Sequence, residues 1–349
     1  MAVQFNELFP NADINLSNIG FIFGAGTSKE AGYPIMKDLT INVIDQLDFQ
    51  ERCSLEKVLK DELIDYDLSG GTPDIEIILS LLSKNQNNRK YSGIINLEKT
   101  IRSNIIQDLL NIKDPNLEHH IKFFSAIKKI FNNTHETIWI FTTNYDILFE
   151  MAAMEAKIPI YNGFEGIFNR YFDIERFNLS YGKIDTRFRH FNEPNIKLYK
   201  LHGSLSWFKR NGSITEISDF RSQSKDSLSL ILPRKEKVLD TLDNPYDLLF
   251  THASRVIGDK CKYLVSCGYS YRDQHINDQL IIPKLRENKI QLIALFGDMP
   301  DSIDNLTSYN SFGYVSTNIK KIGKNPIVEQ SKCWKFSEFA NMFVQKAGL

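Results

Sequence analysis

Residues 19–34 of the chain read IGFIFGAGTSKEAGYP. An apolar run ending at Phe23 meets Gly24 and Gly26, and Ser28 follows directly. This pattern is typical of a strand-to-helix turn whose backbone amides bind phosphate, because glycines let the anion approach and the helix dipole favours it. The third glycine, Gly32, comes too late for the dinucleotide fingerprint G-x-G-x-x-G. Taken alone, the stretch fits a phosphate loop or simply a tight turn.

Bulk composition describes an ordinary soluble globular protein. The chain has 349 residues, 42% of them hydrophobic, and a formal net charge of −1, which gives no general attraction to nucleic acid or to an anionic membrane. Its four cysteines form no C-x-x-C pair, so we expect neither a structural zinc nor a disulfide framework, and no metal cofactor. The N-terminal sequence lacks a signal peptide and no apolar run could span a bilayer, so we expect a cytoplasmic protein.

Hydrophobic periodicity divides the chain into two kinds of segment. Apolar residues at helical spacing predict an inserted helical module at residues 37–131. The remainder, residues 1–36 and 132–349, is predicted to form one α/β domain, with further strands at 137–143, 197–201, 263–267 and 291–296. Strands that alternate with helices predict a Rossmann-like, mostly parallel sheet flanked by helices.

Other segments show weaker patterns. Residues 1–18 are interpreted as a polar lead-in, residues 299–325 as irregular loops, and residues 337–346 as a C-terminal helix. Residues 163–195 mix aromatic and basic side chains, as single-stranded nucleic-acid sites do, but acidic residues dilute the charge. This segment is interpreted as a surface excursion or a surface for a protein partner.

Four predicted strands end in small or polar residues that carry chemistry. Their sequences are GAGTS from Gly24, TTNYD with Asn144 and Asp146, LHGS with His202, and GYSYRD from Gly268. Each has a simpler explanation, as a helix cap or a core histidine. Because the carboxyl ends of parallel strands share one edge of a sheet, we expect all four to meet around one ligand.

These motifs together resemble those of the sirtuin-like fold, the silent-information-regulator NAD-binding family. The similarity spans residues 19–296, although only the motifs are specific. Residues 35–37 read Ile-Met-Lys where protein-deacetylating sirtuins carry Asp-Phe-Arg, and the paired cysteines of their zinc domain are absent. The pattern TTNYD, KLHGS, GYSxxD is more similar to the bacterial branch of the family that acts in antiphage defence.

The resemblance implies an enzyme that uses NAD as its substrate. It implies an NAD hydrolase (NADase) that gives nicotinamide and ADP-ribose and depletes NAD in abortive infection. It also implies a homo-oligomer and a separately encoded partner, such as a HerA-type ATPase, an Argonaute-like protein or a phage-sensing protein. The alternatives are an NAD-dependent protein deacylase and a non-catalytic module that senses NAD or ADP-ribose.

Roles for individual residues follow from this resemblance and from their chemistry. The expected catalytic residues are Asn144, His202 and Asp146. Asn144 is expected to bind a ribose hydroxyl and position water, and His202 to act as a base on a ribose hydroxyl or on water. Asp146 is expected to accept from the nicotinamide amide or to favour positive charge nearby. The residues expected to bind the rest of NAD share a place in the first and fourth loops. They are Gly24, Ala25, Gly26, Ser28, Gly268, Ser270 and Asp273.

Overall fold

The computed structural model describes most of the chain. The described residues are 4–9, 18–91, 93–132, 134, 136–179, 181–232, 244–323 and 325–349. The helices are α1 (Phe5–Leu8), α2 (Met36–Asp45), α3 (Phe49–Asp61), α4 (Ile75–Lys84), α5 (Ile94–Leu110), α6 (Glu118–Ile130), α7 (Leu148–Glu155), α8 (Tyr246–Val256), α9 (Gln274–Ile276), α10 (Ile282–Arg286), α11 (Asp304–Thr307) and α12 (Phe336–Ala347). None of the helices in these ranges combines the length and the apolar character that crossing a bilayer requires.

The described strands form a nine-stranded sheet, a five-stranded sheet and a two-stranded hairpin. In chain order they are β1 (Ile19–Phe23), β2 (Thr137–Thr142), β3 (Ile160–Tyr161), β4 (Phe164–Glu165), β5 (Asn169–Phe172), β6 (Gly182–Ile184), β7 (Phe188–His190), β8 (Asn195–Lys200), β9 (Gly203–Arg210), β10 (Ser213–Ile217), β11 (Leu228–Leu230), β12 (Tyr263–Cys267), β13 (Gln291–Leu295), β14 (Phe312–Val315), β15 (Ile319–Lys321) and β16 (Ile327–Val328). The nine-stranded sheet has the order β16-β15-β14-β13-β12-β1-β2-β8-β3.

The large sheet is parallel from β3 through β14, and only β15 and β16 pair antiparallel at one edge. Strand β1 lies inside it, between β12 and β2, and all five of its residues are buried. A strand covered on both faces needs a continuous apolar run, which explains the sequence IGFIF. The predicted α/β class, with a mostly parallel sheet flanked by helices, is confirmed.

Three hydrophobic clusters fill the part of the chain that the structure describes. One lies where β1 packs against α6, α7 and α12, and it is rich in phenylalanine. A second packs α8 and α10 against the other face of the sheet. The third joins α2, α3, α4 and α5 with β9. Helix α6 therefore shares its core with the sheet rather than with the other helices of residues 37–131, and the boundary at residue 131 stays a prediction.

Two expectations about irregular segments are wrong where the structure describes them. Residues 299–325 include β14, whose four residues are all buried in the parallel sheet. The sequence FGYV there is short and lies among polar residues, so it gave little periodicity. Within residues 1–18, α1 and the following Phe9 bury their apolar side chains, and the ring of Phe5 lies 5.0 Å from that of Phe343. Residues 10–17 lie outside the described part.

Residues 163–195 contribute two strands to the smaller sheet, the 3₁₀ helix Ile174–Asn178 and a hairpin. Strands β4 and β5 join an antiparallel sheet of order β11-β9-β10-β5-β4, and β6 pairs with β7. Several large apolar side chains here are exposed, among them Ile167, Phe168 and Ile184. The segment thus lies partly at the surface, whereas Phe164 and Phe177 are buried in the second cluster. Its use as a partner surface stays a prediction.

His120 lies in the phenylalanine-rich cluster, and the centroid of its ring is 4.5 Å from that of Phe336. Burial lowers the pKa of His120 from its ordinary 6.5 to about 3. Neither ring nitrogen has a hydrogen-bond partner among the described residues. His120→Leu is expected to raise the free energy of unfolding at neutral pH by about 1–3 kcal/mol, because it removes an unsatisfied buried polar group. Denaturant unfolding measures this change.

The same substitution is expected to change the acid side of the stability profile. Between pH 6.5 and about 3 the unfolded chain protonates His120 whereas the folded chain does not. Wild-type stability therefore falls with decreasing pH through this window, by up to about 1.4 kcal/mol per pH unit, and His120→Leu lacks this contribution. His119→Leu, at the neighbouring position, is the control. An unchanged acid slope in His120→Leu would contradict the assignment.

Candidate functional site

The four polar loops do meet at the carboxyl edge of the large sheet. They follow β1, β2, β8 and β12, which lie side by side in the order β12-β1-β2-β8. Backbone hydrogen bonds continue past the strands: the amide of Thr143 donates to Phe23 over 3.3 Å, and that of Leu201 to Thr142 over 2.9 Å. Parallel pairing thus brings together turns as remote in sequence as those at Gly24 and Gly268, as open α/β sheets do around their ligands.

Asn144 is at the centre of a hydrogen-bond network between the first two loops. Its side-chain Nδ2 donates to Ser28 Oγ over 2.9 Å and to Thr27 Oγ1 over 3.1 Å. The Ser28 hydroxyl in turn donates to Asp146 Oδ2 over 2.7 Å, and the Thr27 hydroxyl donates to the carbonyl of Gly24 over 2.9 Å. All four side chains of this network are buried.

This network fixes the orientation of the Asn144 amide. The Thr27 and Ser28 hydroxyls donate their single protons to Gly24 and Asp146, so they can only accept a hydrogen bond from Asn144. The amide must therefore point its NH₂ group toward them. The opposite atom, Oδ1, is buried and has no hydrogen-bond partner among the described residues. A buried acceptor without a partner is costly in a folded protein and calls for an explanation. The site therefore holds a fixed acceptor suited to a ligand hydroxyl or a water.

Asp146 is held from several sides. Besides Ser28, it accepts from the amide of Leu148 at the start of α7, over 3.1 Å. Its own carbonyl accepts from Lys200, whose fully buried ammonium also lies 3.2 Å from a Glu150 carboxylate oxygen. Burial raises the pKa of the Glu150 carboxyl, and Lys200 opposes that shift. These contacts give Asp146 a structural role, while its contact with nicotinamide stays a prediction.

The glycines of the first loop pack against the fourth loop. A Cβ added to Gly24 would lie 2.5 Å from the carbonyl oxygen of Gly268, and one added to Gly26 would lie 2.6 Å from Gly268 Cα. Gly268 itself has φ +65°, a conformation that favours glycine. In this structure the glycines thus allow two backbones to approach each other.

Gly26→Ala is accordingly expected to destabilise the fold by about 1–3 kcal/mol or more, because its Cβ would overlap a backbone atom that cannot rotate away. Denaturant unfolding gives the change in free energy. Gly297→Ala is the matched control, since the nearest atom to its new Cβ lies 3.4 Å away, on the Trp334 side chain. Equal losses in the two variants would argue against tight packing of the loops.

The start of a helix directly after Gly26 is not observed. Two short 3₁₀ turns, Ala25–Thr27 and Lys29–Ala31, follow β1, and α2 begins only at Met36. The Gly26 amide donates to Gly268 over 3.0 Å and the Ser28 amide to Ala25 over 3.1 Å. A pyrophosphate contact through these amides would require them to exchange partners, so their cofactor-binding role stays a prediction.

His202 lies in the turn between β8 and β9. Its carbonyl accepts from the amide of Ile231 over 3.0 Å, and the next residue, Gly203, has φ +86°. A Cβ at Gly203 would lie 2.7 Å from Ser229 O, so the chain can reverse here only with glycine. This turn places the imidazole beside the second loop, with its ring 6.4 Å from that of Tyr145.

A second histidine, missed by the sequence analysis, faces His202. His202 Nε2 lies 3.2 Å from His275 Nε2 and 3.8 Å from Asp273 Oδ1. Donor atoms of all three side chains lie within 4.8 Å of one another. Asp273 ends the fourth loop, and His275 follows two residues later in α9, so the signal D-x-H was present in the sequence. The sequence analysis named Asp273 and His202 as site residues, but it did not name His275.

Two tyrosines add neutral hydroxyls to this region. Burial raises the pKa of Tyr145 and of Tyr269 well above the usual value, and the nearby Asp273 adds to both shifts. Tyr145 donates to the carbonyl of Ile231 over 2.7 Å. Both phenols therefore stay protonated at physiological pH, and the Tyr145 hydroxyl anchors the second loop without adding charge.

The remaining predicted residues lie at the outer side of the loops. Ala25 and Ser270 are exposed, and the Ser270 carbonyl accepts from Ser302 over 2.6 Å. Next to them, Arg272 pairs with Asp74 over 2.9 Å. Asp74 is the N-cap of α4, so this ion pair connects the fourth loop to the helical segment.

Comparison with known proteins adds one relation. No curated protein matches the chain. Residues 139–289 match the family model described as the SIR2-like domain. The matched span includes the loops with Asn144, His202 and Gly268, whereas the glycine loop at residues 24–28 precedes it. This segment of the chain is therefore sirtuin-like, which indicates a function related to NAD.

Proposed function

We propose that the protein is an NAD hydrolase, which cleaves the nicotinamide–ribose bond of NAD to give nicotinamide and ADP-ribose. The observation that carries this proposal is the buried, unpartnered Oδ1 of Asn144, fixed at the sheet edge where His202 also lies. The SIR2-like match over the loops that hold both residues supports NAD as the substrate.

The proposed reaction is a substitution at the anomeric carbon of the ribose. The C–N bond to nicotinamide breaks with its electron pair leaving on nitrogen, which makes nicotinamide neutral and leaves positive charge on the ribose. A water oxygen forms the new bond to that carbon and releases a proton. Asn144 Oδ1 accepts a hydrogen bond from that water or from a ribose hydroxyl, and His202 takes up the proton that is released.

The other predicted residues are proposed to bind the rest of the substrate. Residues 24–28 and 268–270 form the paired loops at which the pyrophosphate and adenosine would lie, and exposed Ala25 and Ser270 mark their accessible side. Asp146 positions the site indirectly: it accepts a hydrogen bond from Ser28, and Ser28 accepts one from the Asn144 amide. Rigid positioning of this kind is a large part of what a site contributes to catalysis.

We propose further that the activity is gated. Asn144, Asp146 and His202 are all at most 5% exposed, so a dinucleotide can reach them only after neighbouring groups move. Uncontrolled loss of NAD would harm the cell, and a closed resting site suits an enzyme used in antiphage defence. A homo-oligomer, or a partner such as a HerA-type ATPase or an Argonaute-like protein, is proposed to open it.

One experiment separates this proposal from its alternatives. The protein is incubated with NAD over a range of protein concentrations, alone and with candidate partners, and nicotinamide and ADP-ribose are separated and measured. Equal amounts of the two products support a hydrolase. Turnover that needs an acyl-lysine peptide and yields O-acyl-ADP-ribose indicates a deacylase. Binding of NAD without any product under all conditions indicates a sensing module and overturns the proposal.

A further inference from the structure

The cluster of His202, Asp273 and His275 has the composition of a metal site. It contains two imidazoles and one carboxylate, with their donor atoms within 4.8 Å of one another. Neutral imidazole and carboxylate are the ligands that bind zinc and other first-row divalent ions in sites with three protein ligands. Both histidines are nearly inaccessible to solvent, at 3% and 5% exposure.

Distances in the cluster suit an ion. Zinc binds histidine nitrogen at about 2.0–2.1 Å, so two ligand atoms of a tetrahedral site lie about 3.3 Å apart. The two Nε2 atoms are already 3.2 Å apart. Asp273 Oδ1, at 3.8 Å from His202 Nε2, is too far for a hydrogen bond and needs to approach by only about half an ångström.

The ligands come from two separate places in the fold. His202 follows β8, whereas Asp273 and His275 follow β12, and β1 and β2 lie between those strands. An ion held by all three would connect the loops across the two central strands. We propose that this cluster binds one divalent first-row transition-metal ion, with a fourth position left for water.

This site has a consequence for the reaction, which rests on the proposed function. The lone pair on Nε2 of His202 cannot take up a proton while it binds a metal ion. Zinc is therefore a reversible inhibitor of NAD hydrolysis, and a chelator restores the activity. Metal binding itself does not depend on the proposed function.

Direct titration tests the site. The full chain is purified, treated with a chelator and titrated with zinc chloride in a calorimeter. A Cys53→Ser background removes the exposed thiol, which is a competing ligand. We expect one zinc ion per chain. His275→Gln and Asp273→Asn are expected to lower the zinc affinity on the order of a hundredfold or more. Loss of a residue that only hydrogen-bonds to a metal ligand lowers metal affinity by about 10–100-fold, and loss of a ligand itself should cost at least as much.

Controls separate lost ligands from lost structure. His252→Gln removes a histidine that contacts Tyr199 and is not one of the three ligands, so it is expected to leave zinc affinity unchanged. Circular dichroism and thermal unfolding without metal show whether each variant is folded. If folded His275→Gln and Asp273→Asn both bind zinc as tightly as the Cys53→Ser parent, or if the parent binds none, the site is overturned.

The outcomes also separate this proposal from the enzymatic one. Zinc binding that depends on His275, in a protein that never releases nicotinamide, supports the metal site and overturns the hydrolase. Nicotinamide release by a protein whose zinc titration shows no binding supports the hydrolase and overturns the metal site. Release that zinc suppresses in the parent but not in His275→Gln supports both.

Discussion

His202→Ala is expected to lower the rate of NAD hydrolysis by about 10²–10⁴-fold, the range typical for loss of a positioned general base. The imidazole is the proposed acceptor of the proton that the attacking water releases. The backbone of His202 is held by the turn at Gly203 and by the hydrogen bond from the Ile231 amide to the His202 carbonyl, neither of which involves the imidazole. The backbone of the turn is therefore expected to survive the substitution. The measurement is the initial rate of nicotinamide release under activating conditions.

Two further variants make this result interpretable. His202→Gln keeps a polar side chain but cannot act as a base, so it is expected to be as inactive as His202→Ala. His252→Gln replaces a histidine outside the site and is expected to keep the wild-type rate. NAD affinity is measured alongside, and it should change much less than the rate. Wild-type turnover by folded His202→Ala would show that another group takes up the proton.

Asn144→Ala is expected to reduce the same rate by on the order of 10²–10³-fold, comparable to removing one fixed hydrogen-bonding group from a site that stabilises developing charge. The variant loses the unpartnered Oδ1, and with it the proposed contact to water or ribose. The substitution also removes the Nδ2 group that donates to Thr27 and Ser28, and this loss should lower the free energy of unfolding by about 1–3 kcal/mol.

Asn85→Ala separates the two effects of that substitution. Asn85 is an asparagine at the end of α4, and like Asn144 it is 5% exposed. Its amide donates to Glu62 over 2.8 Å and to the carbonyl of Leu81 over 3.0 Å. Loss of this amide should cost similar stability without affecting NAD hydrolysis. A comparable fall in rate for Asn85→Ala and Asn144→Ala would mean that the loss reflects stability alone.

Much of the α/β framework was predictable from the sequence, because strands buried on both faces leave continuous apolar runs. β12 was predicted with the observed bounds, and β2, β8 and β13 were placed within two residues of theirs. β14 was missed because four buried residues, one of them glycine, give no clear period. The packing of α6 against α12 was also not predictable, since an apolar stripe shows that a helix is buried but not against which partner.

For the site, the sequence predicted which loops would meet, because parallel strands place their carboxyl ends at one edge. It did not predict how the loops use their residues. The pair of glycines at 24 and 26 suggested room for a phosphate, whereas the structure fills that room with Gly268. The role of Ser28 as the connection between Asn144 and Asp146, and the pairing of His275 with His202, depend on distances between residues remote in sequence.

The contact between Gly26 and Gly268 constrains how this protein can diverge. The Gly26 nitrogen and the Gly268 carbonyl oxygen are 3.0 Å apart, with no side chain between them. No change of side-chain size could therefore compensate for a change in this contact. An insertion in either turn would separate the pair, and only a matched change in the other could restore it. We therefore expect related proteins to vary in length around the hairpin of β6 and β7, whose residues are mostly exposed, while these two turns keep their lengths together.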